Sequence, residues 1–124
     1  MNARGFTLLE VLLALGMLGI VMVVVIPAFF AYLEANTRNE IRSGAVAAAQ
    51  QVMETLRQQD PASLPSSGSS AIELVNVGAR EFEAVTQYCV ESGFCNATSR
   101  HLMVEVSFGG AIVYTVESVF SGAP

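Results

Sequence analysis

Residues 4–15 read "RGFTLLEVLLAL" and open a run whose composition decides how the rest of the chain must be organised. From Val11 to Leu33 there is no charged side chain. As a helix that run would span roughly 34 Å at about 1.5 Å per residue, enough to cross a hydrocarbon core of about 30 Å. A carboxylate, Glu10, stands at its start. An ionised acid in hydrocarbon is costly unless it is paired or lifted to the interface, so Glu10 needs an explanation. The simplest is the first turn of the helix, where the macrodipole favours an anion and water is near.

The run is too long for the apolar core of a secretory signal, and no clear A-x-A cleavage site follows it. The next residues, "AYLEANTRNEIRSG" (31–44), continue with good helix formers. Ile41, Ala45, Ala48, Val52 and Leu56 then recur at three- or four-residue steps, with Ala49 and Met53 beside them. That spacing predicts an amphipathic continuation with one face turned to a sheet. Asp60-Pro61 should end it, because the residue before proline avoids the α region. A helix running from Phe6 to Gln59 would measure roughly 80 Å. Gly16, Gly19 and Pro27 interrupt its good formers, and Gly19 and Pro27 mark where it would kink or unwind.

The 124-residue chain is 52% hydrophobic and 14% charged, with a net charge of −5, and its six basic residues are all Arg. Beyond Pro61 only Arg80 and Arg100 offset Glu73, Glu81, Glu83, Glu91, Glu105 and Glu117. Such a surface argues against direct nucleic-acid binding, which needs clustered cations. "PASLPSSGSS" (61–70) reads as a linker. Asn96-Ala97-Thr98 fits the N-glycosylation pattern, which is short enough to arise by chance.

After the linker the period changes to two. "AIELVNV" (71–77) predicts a first short strand. "REFEAVTQYCV" (80–90) sets Phe82, Ala84, Thr86 and Tyr88 on one side. "HLMVEVSF" (101–108) sets Leu102, Val104, Val106 and Phe108 on one face, and "AIVYTVESVF" (111–120) does the same for Ile112, Tyr114, Val116 and Phe120. Gly109-Gly110 is a two-residue hairpin signal. The expected fold class is therefore α+β: a long N-terminal helix, membrane-spanning in its first half and amphipathic in its second, packed on a small C-terminal antiparallel sheet.

Cys89 and Cys95 bracket "VESGF". In a cytosolic chain such a pair could serve metal or redox chemistry, but behind a membrane helix it reads as a disulfide. His101 is the only histidine, so any Ser-His or Cys-His pair would have to use it, and its strand offers too few further metal ligands. Glu81 and Glu83 belong to the wet side of a strand. No P-loop, Gly-rich nucleotide loop or zinc spacing is present, so no cofactor, metal or catalytic residue is expected and the chain is not read as an enzyme.

The opening stretch also resembles the type IV prepilin signature: a short basic leader ending in Gly5, an aromatic Phe6, Thr7, then Glu10 and an uninterrupted apolar helix. The resemblance covers about a quarter of the chain and takes in minor pilins and the pseudopilins of type II secretion. It implies cleavage between Gly5 and Phe6 by a membrane prepilin peptidase, which also N-methylates Phe6. The implied organisation is a leader (1–5), a transmembrane and filament-core helix (6–33) and its amphipathic continuation (34–60). The linker (61–70) and sheet (71–124) follow, the sheet forming one globular domain with 34–60. The implied partners are further copies or other pilins through the N-terminal helices, the peptidase, the inner membrane and the assembly machinery. The implied location is the inner membrane first and a surface or periplasmic filament afterwards, serving adhesion, twitching motility or DNA uptake. A different reading makes the helix a plain anchor for a bitopic binding or sensor protein. It requires the match at Gly5, Phe6 and Glu10 to be accidental.

Overall fold

The computed structural model describes residues 5–122. Most of the expected leader, Met1–Arg4, and the last two residues of the sheet segment lie outside the described residues. Two compact units divide the chain, residues 1–38 and 39–124, and helix α1 (Leu8–Arg57) contributes to both. The helix is assigned without a break through Gly16, Gly19 and Pro27.

Among the described residues of the first unit nothing covers α1, and the apolar side chains from Leu8 to Leu33 are exposed. This is the helix of the described residues that is long and apolar enough to cross a membrane.

In the second unit the end of α1 packs on a four-stranded antiparallel sheet of order β1-β2-β3-β4: β1 (Glu73–Val77), β2 (Arg80–Tyr88), β3 (Ser99–Phe108) and β4 (Ala111–Ser121). The arrangement is α+β, as the change of period requires. Ala45, Ala48, Ala49, Val52 and Leu56 form the buried stripe of α1. Against them lie Phe82, Leu102, Val104 and Val106, all fully buried. Small helix residues allow close approach, and Gly44 allows the closest. A Cβ there would stand 2.6 Å from Cζ of Phe82.

Gly109 and Gly110 both take positive φ in the β3–β4 turn, which favours glycine at both positions of such a hairpin. One face assignment is corrected. The register shifts between Val106, opposite Tyr114, and Ser107, opposite Ile112. The extra residue, Val113, reverses the alternation, so Val113 packs against the core and Ile112 points away, 62% exposed.

The Ser/Pro-rich connection is docked rather than free. Asp60 caps a 3₁₀ turn (Pro61–Ser63) by accepting from the Ala62 N–H at 2.9 Å. Leu64 is buried, its carbonyl accepts from Nε of Arg100 at 3.2 Å, and Ser69 bridges to Gln87.

Candidate functional site: the N-terminal processing and assembly segment

Gly5, Phe6 and Thr7 have no regular secondary structure, and α1 starts at Leu8. Thr7 stops the helix from extending backward. Its hydroxyl accepts from the Glu10 N–H at 3.3 Å and its carbonyl from the Val11 N–H at 3.2 Å. Thr7 is thus the N-cap and Glu10 the third helical residue, the spacing of a capping box. The sequence reading passed over this pattern, although T-x-x-E ahead of an apolar run is its signal.

The cap explains the position of Glu10. Its carboxylate lies in the first turn, where uncapped N–H groups and the macrodipole favour negative charge. Among the described residues no cation stands within ion-pair distance of it. Phe6 is 83% exposed, and nothing lies within 4 Å of the place a Gly5 Cβ would occupy. Among the described residues, Gly5 and Phe6 are thus exposed. Phe6, Glu10, Ala14 and Leu18 border one shallow hollow along the helix, so Phe6 and the acid share a side. Gly19 and Pro27 lie farther along the same exposed helix.

The first 26 residues match the prokaryotic N-terminal methylation motif. The chain carries the type IV pilin and pseudopilin signature. No curated protein and no solved structure is similar enough to the chain to extend that match. The signature implies processing by a prepilin peptidase and assembly with other pilins, and with the apolar helix it fits a membrane-anchored protein later found in a filament.

The remaining singled-out residues lie in the sheet unit. Cys89 and Cys95 form a disulfide with Cα atoms 5.9 Å apart, closing a loop at the end of β2. Cys89 adopts φ of +54°, a left-handed turn that sends the chain back over the sheet. The loop covers His101, only 4% exposed, whose Nδ1 accepts weakly from the Glu91 N–H at 3.4 Å. Nε2 of His101 faces Glu117 at 3.7 Å and Phe94 lies alongside the ring. The histidine is thus packed between the loop and β4. Glu81 and Glu83 are exposed on the face away from α1.

Proposed function

We propose that the protein is a structural, non-catalytic subunit of a type IV pilus or a closely related filament. It is held in the inner membrane by α1 with the sheet unit outside, cleaved between Gly5 and Phe6, methylated on Phe6, and drawn into a helical bundle. The observation that carries this reading is the junction itself: an exposed Gly5–Phe6 bond, a Thr7-capped helix start, and an acid at Glu10 heading an uncovered apolar surface.

Assembly is the mechanism. Moving α1 from lipid into a bundle of like helices gains little from water, so packing and polar contacts decide the outcome. Cleavage leaves an ammonium on Phe6, and Glu10 of one copy pairs with that group on a neighbour. Desolvation cancels much of the gain, yet a helix out of step leaves a bare charge buried. The pair therefore sets axial register. The acidic sheet unit fits a filament surface without direct nucleic-acid contact.

Mass spectrometry of the purified protein tests processing: loss of Met1–Gly5 plus one methyl group is expected, and an intact Met1 refutes it. Electron microscopy of sheared surface material, labelled with antibody to the sheet unit, tests the filament. Glu10→Ala should be processed normally yet fail to enter filaments. Normal filament yield from that variant would remove the register role.

A further inference from the structure

The docked connection, the disulfide loop and the start of β3 border an open cleft of about 410 Å³ on the sheet unit. Ser66, Ser92, Asn96 and Arg100 line it beside the Cys89–Cys95 disulfide, and among the described residues no carboxylate does. The smaller cleft between α1 and β4, about 210 Å³, differs in kind: Arg57 and Glu117 both border it, and Arg57 lies 3.8 Å from Glu54. Arg38 and Arg80 likewise face Glu34 and Glu40. Among the described residues no acid stands within ion-pair distance of Arg100. It is a cation without a counter-charge in an otherwise acidic unit.

The polar groups here are held in place and keep donors to spare. Nε of Arg100 donates to the Leu64 carbonyl at 3.2 Å, and Nη1 donates to the carbonyls of Asn96 and Ser99. Carbonyls from two segments thus fix the guanidinium, while Nη2 meets no protein acceptor among the described residues. Oδ1 of Asn96 accepts from the Thr98 N–H at 2.9 Å, the Thr98 hydroxyl at 3.1 Å and the Ser99 N–H at 2.9 Å. Those three donors decide which end of the amide is oxygen, so Nδ2 is the end left over. The hydroxyls of Ser66 and Ser92 are also without a protein partner among the described residues. A fixed cation with amide and hydroxyl donors around it suits an oxyanion, since a charged acceptor gains most from such donors.

We propose that this cleft binds an acidic sugar, its carboxylate or phosphate group on Arg100 and Asn96 and its ring hydroxyls on Ser66 and Ser92. The anion follows from the unmatched charge. The sugar follows from the rest of the lining: a space far larger than one oxyanion, and hydroxyls that both donate and accept as sugar hydroxyls do. No aromatic or long aliphatic side chain lines the cleft to receive an acyl chain. One cation in an acidic unit is too few to hold a nucleic-acid backbone. Because the guanidinium and the amide are already fixed, little ordering cost falls on binding. The cleft lies wholly within the sheet unit and is present whether or not the chain enters a filament.

The test is a proton–nitrogen NMR titration of the full-length chain in non-ionic detergent micelles at fixed ionic strength. Glucuronate or a glucose phosphate monoester should give saturable shifts confined to the cleft, including the Arg100 Nε–H and the amides of Ser92 and Asn96. The one that binds tighter tells carboxylate from phosphate. Neutral glucose should leave the same resonances unmoved. No saturable shift with either acidic sugar overturns the site, as does an equal response to glucose. Inorganic phosphate binding as tightly as the better of the two marks an adventitious ion only and overturns the sugar. Arg100→Gln would lose the hold on Leu64 along with the charge, so the deciding variant is Asn96→Asp. It keeps the oxygen that accepts from Thr98 and Ser99 and puts negative charge where Nδ2 stood. The dissociation constant should rise by roughly tenfold or more, the loss of a charge-assisted hydrogen bond. A folded Asn96→Asp chain that binds like the wild type overturns the assignment. Should that variant disturb the loop, Ser66→Ala with Ser92→Ala should weaken binding by roughly three- to tenfold, and unchanged binding overturns it equally.

Discussion

Replacing Gly44 by alanine tests how tightly α1 rests on the sheet. The added Cβ would lie 2.6 Å from Cζ and 2.9 Å from Cε2 of Phe82. Phe82 is fully buried, with the Phe108 ring 5.3 Å away between centroids, so the ring has no free direction of retreat. Either α1 lifts, loosening Ala45 and Ala48 as well, or the ring leaves its rotamer. Overpacking of this kind costs about 1–3 kcal/mol. Against it stands the gain from alanine over glycine in a helix interior, at most about 1 kcal/mol. With the full alanine gain subtracted, the expected net is a destabilisation of up to about 2 kcal/mol, a melting temperature lower by roughly 4–8 °C per kcal/mol for a unit this small. Near-ultraviolet circular dichroism of the detergent-solubilised chain, followed through thermal unfolding, measures it. Phe82→Leu in the same chain should remove part of the clash, so the double variant should lose less than the two singles together, by about 0.5–3 kcal/mol. Gly44→Ala as stable as the wild type or more so, with no coupling to Phe82, would refute the close-approach argument.

Thr7→Ala removes the cap of α1 and should cost about 1 kcal/mol at the helix start, read as faster amide exchange at Glu10 and Val11 in micelles while the sheet unit stays unchanged. Replacing Cys89 and Cys95 together by serine opens a short loop and should lower the unfolding free energy of the sheet unit by about 2–2.5 kcal/mol, seen as a lower denaturant midpoint. The Tyr88 phenol is pushed above its ordinary 10.0 by burial first and by the negative charge of Glu73 second. The folded chain therefore keeps that proton more tightly than the unfolded one. The Tyr88 contribution is complete below the ordinary value of 10.0 and falls away as pH rises past it. Tyr88→Phe should flatten that alkaline loss of stability, with phenolate absorbance reporting the titration.

Much of this architecture is legible in short stretches of sequence because its causes are local. Unbroken apolar residues from Val11 to Leu33, three- and four-residue steps from Ile41 to Leu56, and alternation in β2 and β3 each state a period, and a period fixes which side chains share a face. Gly109-Gly110 names its turn because positive φ is a property of single residues. The methylation motif is legible for the same reason, since Gly5, Phe6, Thr7 and Glu10 lie within six consecutive residues. The Thr7 cap is marked there too, by T-x-x-E ahead of an apolar run.

The tertiary structure decided whatever depends on a partner distant in the chain. Ile112 faces outward because a bulge opposite Val106 and Ser107 breaks an alternation that the sequence of β4 alone presents as unbroken. Gly44 matters because Phe82 sits under it, and nothing within a few residues of position 44 reveals that ring. His101 is buried because a disulfide-closed loop turns back over the sheet, and Leu64 because Arg100 holds its carbonyl from another element. The cleft beside β4 exists because the buried stripe of α1 lies over the middle of the sheet and leaves the edge strand half-covered. Period and turn are written in neighbouring residues, whereas register, close approach and cover arise only when separate segments meet.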